Sequence, residues 1–323
     1  MAHRALHSAK QTKNDEFYTQ FDDIQVELNH YRDQFKGKVV YCNCDDPAES
    51  AFADFFKLNF DYYGLKKLIC TRYAKSDLFL KLDGPRRIGY KLEITGKDRC
   101  EKTDLIGGGD FRSKECIDLL QEADIVCTNP PFSLFREYVH QLMHYHKKFL
   151  IIGSINAITY KEFFPLIRDN KVWGGYTKPK EFMNPDGKIE KLGNVQWWTN
   201  LDTTKRHEML TLYETYSPEK YPSFFNYDAI NVDKTVAIPK DFNGKMGVPI
   251  SFLDKYNPDQ FEIIGLGISN LGLSIGVKPY APEHKDYRKN VQKRGAVDGD
   301  LYMMVNDIVT VPYARIIIKR KEK

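Results

Sequence analysis

The segment ADIVCTNPPF, residues 123–132, decides the fold of this chain. Its first six residues form a short apolar run that predicts a buried β-strand. Two consecutive prolines cannot continue a sheet, so the chain must leave the strand at Asn129 in an extended conformation. The segment therefore places an amide side chain, a proline carbonyl and an aromatic ring at the carboxyl end of a strand, where open α/β sheets bind their ligands.

The residues Asn129, Pro130, Pro131 and Phe132 have the chemistry of a site for a planar ring that carries an amino group. The amide oxygen of Asn129 and the carbonyl oxygen of Pro130 can each accept a hydrogen bond, and Phe132 supplies a flat apolar face beside them. Asn-Pro-Pro is also a common turn sequence, and an isolated tripeptide would not distinguish the two interpretations. The strand before it and the helical pattern over 134–145 favour a binding site.

A pattern of alternating strands and helices extends over residues 38–170. Such alternation is typical of a doubly wound sheet, so we predict an α/β fold with a mainly parallel, Rossmann-like sheet. One strand of an inserted hairpin is predicted at 87–95. The other predicted strands are 38–43, 65–70, 123–128, 149–153, 172–176 and 194–200, and the predicted helices are 20–36, 47–59, 113–122, 134–145 and 159–169.

The sequence changes character beyond about residue 202. It becomes rich in Pro, Tyr and Gly, with short strand-like pieces such as 247–252 and 314–318. A chain of 323 residues is also long enough for about two domains. We therefore predict a first domain over 1–202 and a smaller, mixed second region over 203–323.

Positive charge is concentrated near the C-terminus. Residues 276–323 contain 11 Lys and Arg against 6 Asp and Glu, a balance of +5, whereas the whole chain carries only +4. A cluster of cations fits contact with a nucleic-acid phosphate backbone, and it fits a solvated surface equally well. The densest cluster contains Lys285, Arg288, Lys289, Lys293 and Arg294.

Residue patterns that are missing from the sequence exclude several classes of protein. The six cysteines include no C-x-x-C pair and the eight histidines show no metal-ligand spacing, so we expect reduced thiols and no metal site. The sequence contains no G-x-x-x-x-G-K-[ST], which argues against a nucleoside triphosphatase. The sequence has no long apolar stretch and no apolar N-terminal signal region, so we expect a cytoplasmic protein with no membrane contact.

Three further segments bring polar or acidic groups to the same predicted edge of the sheet. They are DEFYT at 15–19, before the first helix, VVYCNCDDP at 39–47, which ends the first strand, and GGGDF at 107–111. Carboxylates at such an edge are poorly suited to phosphates. They suit hydroxyls, amines or a cationic sulfonium.

Taken in order, these segments resemble the amino-group DNA methyltransferases that use S-adenosylmethionine. The resemblance is closer to the EcoRI-type adenine-specific DNA methyltransferases, and it covers most of the chain collinearly. The matching strings are DEFYTQ at 15–20, VVYCNCDDP at 39–47, GLKKLI at 64–69, GDFRS at 109–113, TNPPFSLF at 128–135, KKFLII at 147–152, ITYKE at 158–162, WTNLD at 198–202, YDAINV at 227–232, MGVPISFL at 246–253, NPDQFE at 257–262 and RIIIK at 315–319.

The resemblance implies a site for a target adenine. Asn129 and the carbonyl of Pro130 would accept hydrogens from the adenine amino group, and Phe132 would stack on the base. Trp197 or Trp198 would cover the other face of the base. Packing in the core is an equally good interpretation of both tryptophans, and a regular strand would point them to opposite faces.

The resemblance also implies a site for S-adenosylmethionine. Thr19, with Tyr18, would hold the methionine end of this cofactor. Asp110 would accept a hydrogen bond from the cofactor's adenine amino group, and Phe111 would lie against that ring. The loop after the first strand would line the cofactor through Asn43, Cys44, Asp45 and Asp46.

Two departures from the pattern of related methyltransferases stand out. Tyr41 takes a place that is usually acidic, and Pro47 takes a place that is usually glycine. The second strand usually ends in an acid that binds the cofactor's ribose, but residues 68–71, Leu-Ile-Cys-Thr, contain none. The EcoRI-type proteins share both features, so we interpret them as properties of that family.

The resemblance implies a site-specific adenine methyltransferase that flips its target base out of duplex DNA. It would be an orphan enzyme or the modification half of a restriction system, with the restriction endonuclease acting separately. The first domain would bind the cofactor, the second would recognise the DNA target, and the enzyme would be a monomer. Two alternatives remain open: an RNA adenine or protein glutamine methyltransferase, and a DNA-binding relative that has lost catalysis.

Overall fold

The computed structural model describes residues 18–44, 46–74, 88–96, 99–184 and 188–321. The chain divides into two compact units. The first contains residues 1–156 and 172–203, and the second contains residues 157–171 and 204–323. Among the described residues, no helix is long and apolar enough to cross a membrane.

The first unit carries both the large sheet and a smaller one. Its strands are β1 (Tyr18–Thr19), β2 (Val39–Cys42), β3 (Lys67–Arg72), β4 (Tyr90–Gly96), β5 (Arg99–Asp104), β6 (Ile125–Thr128), β7 (Lys148–Ser154), β8 (Trp173–Gly174), β9 (Glu181–Met183), β10 (Ile189–Lys191) and β11 (Val195–Thr199). Its α-helices are α1 (Phe21–Leu28), α2 (Arg32–Phe35), α3 (Ala51–Leu58), α4 (Lys114–Glu122) and α5 (Phe135–His144).

The large sheet has the strand order β5-β4-β3-β2-β6-β7-β11-β8. The four central strands β3, β2, β6 and β7 pair in parallel. β4 lies antiparallel between β3 and β5, and β11 lies antiparallel between β7 and β8. Only β4 and β11 therefore run against the other strands of this sheet. The predicted α/β fold with a mainly parallel sheet is confirmed.

One face of the large sheet is covered by the aromatic side chains of α3. Phe52, Phe55 and Phe56 are buried there, as their helical spacing predicts, together with side chains of β2, β3, β6 and β7. The helix begins after Ser50, whose Oγ accepts a hydrogen bond from the N–H of Ala53. Ser113 caps α4 in the same way.

The second unit is a mixed structure around a four-stranded sheet with the order β12-β13-β17-β14. One of the two central strands, β17, carries Ile316, Ile317 and Ile318. All three are fully buried, so both faces of this sheet are covered. The elements of the second unit are α6 (Phe164–Arg168), β12 (Ile230–Asn231), β13 (Met246–Pro249), β14 (Phe261–Leu266), α7 (Ser269–Ser274), α8 (Pro282–Asn290), β15 (Met303–Val305), β16 (Ile308–Thr310) and β17 (Arg315–Arg320).

Three elements differ from the sequence prediction. The single helix predicted at 20–36 is α1 and α2 separated by a 3-10 turn over Asn29–Tyr31. No strand is predicted between the predicted strands 172–176 and 194–200, but this segment contains the hairpin β9–β10, whose strand β9 pairs with β1; residues 185–187 lie outside the described residues. Helix α8 was not predicted, because it buries no side chain and therefore shows no apolar periodicity.

Candidate active site

The strand order of the large sheet reverses between β2 and β6. β3 lies on the far side of β2, and β7 lies on the far side of β6. The chain therefore leaves these two strands in opposite directions and opens a crevice at their carboxyl ends, which is where sheets of this type bind ligands. A hydrogen bond of 3.2 Å from the N–H of Cys44 to Thr128 Oγ1 joins the two strand ends.

The Asn-Pro-Pro-Phe segment leaves β6 at this crevice. β6 is buried through Thr128, whereas Asn129 and Phe132 are only half-buried. Pro131 has a φ of −54° and a ψ of 127°, so the chain stays extended at the second proline before it turns into a 3-10 helix over Phe132–Leu134. The strand ends before the prolines, as predicted, and Asn129 stands at the carboxyl edge of the sheet.

Two polar groups that the sequence predicts to hold the cofactor are buried without a partner among the described residues. Asn43, at the end of β2, is 2% exposed, and its Oδ1 accepts a hydrogen bond from the hydroxyl of Tyr138. Its Nδ2 has no partner among the described residues, and neither has the buried Thr19 Oγ1. An unpaired buried polar group costs about 1–3 kcal/mol, so such groups call for an explanation. A ligand that hydrogen-bonds to such a group would remove this cost.

Asp46 is fixed at the carboxyl end of β3 by groups from three segments. Its Oδ2 lies 2.9 Å from Nε of Arg72, the last residue of β3. Its Oδ1 accepts hydrogen bonds from the hydroxyl of Tyr90 and the N–H of Ala48, each at 3.0 Å. Burial, together with the bond to Asp46, raises the pKa of Tyr90 to about 12, so this hydroxyl remains a donor at neutral pH.

Asp110 is held by its neighbour Arg112. Its two oxygens accept bonds of 2.8 Å and 2.7 Å from the guanidinium, and Oδ1 also accepts the backbone N–H of Arg112 at 2.9 Å. These bonds hold the pKa of Asp110 below its ordinary value. An ionised carboxylate has about four acceptor sites, so roughly one remains for a ligand. The buried ring of Phe111 packs edge-on against Tyr138, with ring centres 5.1 Å apart.

The glycine run before Asp110 places it at the same edge. The carbonyl of Gly108 accepts a 2.7 Å bond from the N–H of Ala74, just past β3. Gly109 has a φ of +76°, and a Cβ there would overlap the carbonyl oxygen of Arg72. Only glycine permits both this backbone conformation and this close approach. Glycine at 109 is therefore what lets the loop pass close enough to β3 to bring Asp110 to the crevice.

Trp197 and Trp198 are both buried in the large sheet, with 0% and 1% of their surfaces exposed. Trp197 packs edge-on against Phe52 of α3. Trp198 donates its indole N–H to the carbonyl of Ser154 at 3.3 Å. These surroundings favour core packing for both side chains.

Residues 5–321 match the sequence profile of a family described as adenine-specific methyltransferase EcoRI. The chain belongs to this family. It is similar to the type II methyltransferase M.EcoRI of Escherichia coli, with 47% identity over 307 residues that cover 86% of this chain and 94% of that protein. It is also similar to M.MpnI of Mycoplasma pneumoniae, with 39% identity over 79% of this chain and 83% of that protein. The type II methyltransferase M.MgeORF184P of Mycoplasma genitalium is 38% identical over 79% of this chain and 84% of its own length. No solved structure matches the chain significantly.

The family membership confirms the resemblance drawn from the sequence strings: this chain is an adenine-specific methyltransferase. The residues predicted to hold the cofactor fit S-adenosylmethionine as methyl donor. The hydroxyl of Thr19 and the amide of Asn43 lack partners, and Asp110 retains an acceptor site for an amino group. Among the cofactor residues predicted from the sequence, Asp45 and the side chain of Tyr18 lie outside the described residues.

The cations predicted to contact DNA divide into two groups in this methyltransferase. Lys285 pairs with Asp298 at 2.8 Å, and Arg288 donates to Gln292 Oε1 at 2.8 Å, so these two side chains are engaged within the second unit. The other three are exposed, and their side chains form no hydrogen bond or ion pair with the residues that the structure describes; they are Lys289, Lys293 and Arg294.

Four residues that shape the crevice were not predicted from the sequence. Arg72 and Tyr90 hold Asp46, and Tyr138 holds Asn43, but each partner is far away along the chain. Arg112 stands two residues from Asp110, so this pair alone had a local signal, an acid followed by a base. In the part of the chain that is described, no group of three or more His, Cys, Asp or Glu side chains is arranged to hold a metal ion.

Proposed function

We propose that this enzyme transfers a methyl group from S-adenosylmethionine to the exocyclic amino group of adenine in duplex DNA. The observation that carries the proposal is the placement of Asn129 and Pro130 at the end of β6, beside the crevice between β2 and β6. The similarity to M.EcoRI, a type II methyltransferase, supports this substrate.

The adenine amino group is a poor nucleophile because its lone pair is delocalised into the ring. Asn129 Oδ1 and the carbonyl oxygen of Pro130 accept its two hydrogens and favour a pyramidal nitrogen with an available lone pair. When bound, S-adenosylmethionine supplies an electrophilic sulfonium methyl. No strong base is needed, since the proton can leave after transfer. The protein contributes positioning and preorganised acceptors.

The target base reaches this pocket by leaving the DNA helix, because the reacting atom is inaccessible in a duplex. Phe132 stacks on the flipped base and offsets part of the few kcal/mol that unstacking costs. The half-buried position of Phe132 at the start of the 3-10 helix supports this role. The burial of Trp197 and Trp198 favours Phe132 as the stacking residue.

The second unit contacts the DNA through its exposed cations. Lys289, Lys293 and Arg294 meet backbone phosphates, and Lys285 and Arg288 maintain the local structure that presents them. The enzyme acts as a monomer in the cytoplasm, where its DNA substrate is. It protects sites from a separately acting restriction endonuclease, or methylates them as an orphan enzyme.

A labelled-methyl assay tests the proposal. The purified enzyme is incubated with radiolabelled S-adenosylmethionine in three separate reactions, which contain plasmid DNA, total RNA or a protein extract. We expect label in DNA alone, and sequencing of the methylated plasmid should locate modified adenines in one short sequence. Label in RNA or protein but not in DNA would show that DNA is not the substrate and that RNA or protein is. If the protein binds DNA but transfers no methyl group to DNA, RNA or protein, the result would support a DNA-binding protein that has lost catalysis.

A further inference from the structure

Two side chains contact the amide oxygen of Asn43. The hydroxyl of Tyr138 donates to Oδ1, and the thiol of Cys44 lies 3.6 Å from that oxygen. Both contacts lie on Oδ1, so Nδ2 is the atom of this amide that points away from Tyr138 and is left for a further partner.

Nδ2 of Asn43 is buried, and no described residue accepts its hydrogens. The atom belongs to the residue that directly follows β2, at the point where the strand order reverses. Buried polar groups in native proteins are almost always paired, so an exception at the ligand-binding edge of a sheet points to a ligand acceptor.

Tyr138 is well suited to hold this amide. Its side chain is completely buried on α5, and its ring packs edge-on against Phe111. Burial raises its pKa well above the ordinary value, so the hydroxyl keeps its proton at any working pH. One turn further along α5, Gln141 donates to the carbonyl of Phe111 at 3.1 Å. The helix that follows the Asn-Pro-Pro-Phe segment thus holds both Asn43 and Phe111.

We propose that Tyr138 is a positioning residue for the cofactor: its hydroxyl fixes the Asn43 amide so that Nδ2 donates to an acceptor atom of S-adenosylmethionine. The inference rests on the proposed function. It also joins the cofactor side of the crevice to the base side, because the segment that presents Asn129 continues directly into the helix that carries Tyr138.

Binding of S-adenosylhomocysteine to the full-length protein, measured by calorimetry, tests the inference. Tyr138→Phe should weaken binding about fivefold, the effect of one misplaced hydrogen bond. Turnover at saturating S-adenosylmethionine should stay within about twofold of wild type, because the amide acts on binding and not on the reacting nitrogen. The matched control is Tyr63→Phe, which removes another tyrosine hydroxyl that donates to an asparagine, Asn29, at 3.2 Å. It should leave the affinity unchanged.

A double-mutant cycle separates positioning from a general structural effect. If Tyr138 acts through Asn43, then Tyr138→Phe should cause no further loss of affinity in an Asn43→Ala background. Equal losses in both backgrounds, or an unchanged affinity in a folded Tyr138→Phe variant, would overturn the inference. A crystal structure of the wild type with S-adenosylhomocysteine should show a ligand acceptor within about 3.2 Å of Nδ2, and its absence would also overturn it. If the wild type binds neither S-adenosylmethionine nor S-adenosylhomocysteine, the proposed function itself fails.

Discussion

Asp46 and Arg72 join the carboxyl ends of two neighbouring parallel strands, with Asp46 Oδ2 2.9 Å from Arg72 Nε. Arg72 is the last residue of β3, and Asp46 belongs to the loop after β2. In related methyltransferases the strand corresponding to β3 usually ends in an acid that binds the cofactor's ribose. Here the strand ends in a base, and that base holds an acid from the adjacent loop at the same edge.

Asp46→Ala should therefore weaken the binding of S-adenosylhomocysteine. A hydrogen bond to a charged group contributes about 1.5–3 kcal/mol, so we expect a loss of about 10- to 100-fold in affinity. Calorimetry on the folded variant gives the measurement. Asp54→Ala is the control, because Asp54 also pairs with a cation, Lys57, but on helix α3. An affinity loss of the same size in both variants would contradict a role for Asp46 at the cofactor.

Asn129→Ala should bind cofactor and DNA but lose methyl transfer. The change removes one of two acceptors for the amino group, and a positioned group of this kind contributes about 100- to 1,000-fold in rate. Single-turnover transfer from labelled cofactor measures the effect. Asn200→Ala removes an amide that bonds Phe149 and Lys147 at the opposite edge of the sheet, so it should lower stability with little change in rate. Turnover of Asn129→Ala within about threefold of wild type would exclude the proposed role.

Asp110→Ala should weaken cofactor binding more than it slows the reaction at saturating cofactor. The expected loss is again about 1.5–3 kcal/mol, for one hydrogen bond to a charged acceptor. Arg112 lowers the pKa of Asp110 below the ordinary value of an aspartate, so the carboxylate stays charged between pH 8 and about pH 5 and the wild-type affinity should not fall over that range. The control is Asp169→Ala, since Arg168 lowers the pKa of Asp169 in the same way. Normal binding by Asp110→Ala would remove Asp110 from the site.

Phe132→Ala should reduce base flipping, whereas Trp198→Phe should mainly reduce stability. Stacking of a base on an aromatic ring contributes about 1–3 kcal/mol, and Phe132 is the half-buried ring at the crevice. Trp198 is 1% exposed, so its truncation leaves a core cavity. Fluorescence of 2-aminopurine at the target position reports flipping, and thermal unfolding reports stability. Loss of the flipping signal in a stable Trp198→Phe variant, with Phe132→Ala unaffected, would reverse the assignment.

Changing Lys289, Lys293 and Arg294 together to Gln should weaken DNA binding at all sequences. Each phosphate contact adds about 0.9 to the slope of log affinity against log salt, so the slope should fall by up to about 2.7. Single-turnover transfer with enzyme in excess should be nearly normal. The matched control changes three exposed lysines near the amino ends of β2 and β3, Lys36, Lys38 and Lys66. If the slope and the affinity are unchanged, the cluster is a solvated surface.

Much of the site was accessible from the sequence because its signals are local. Two prolines after an apolar run end β6 wherever the chain folds, and this places Asn129 at a strand end. The helical spacing of Phe52, Phe55 and Phe56 likewise determines which side of α3 is buried. The ordered strings were enough to identify the family, since short motifs in a fixed order are a property of the sequence itself.

The partners of the polar side chains were decided only by the tertiary structure. Asn43 and Tyr138 are 95 residues apart, and Asp46 and Arg72 meet only because β2 and β3 pair in parallel. No local pattern encodes such a contact, because a polar side chain bonds to whatever the folded chain brings within about 3 Å. The surroundings of the two tryptophans were also decided by the tertiary structure. The alternation of β11 predicts only that they point to opposite faces, and in the structure α3 packs beside Trp197 while the backbone of β7 binds Trp198, so both are enclosed.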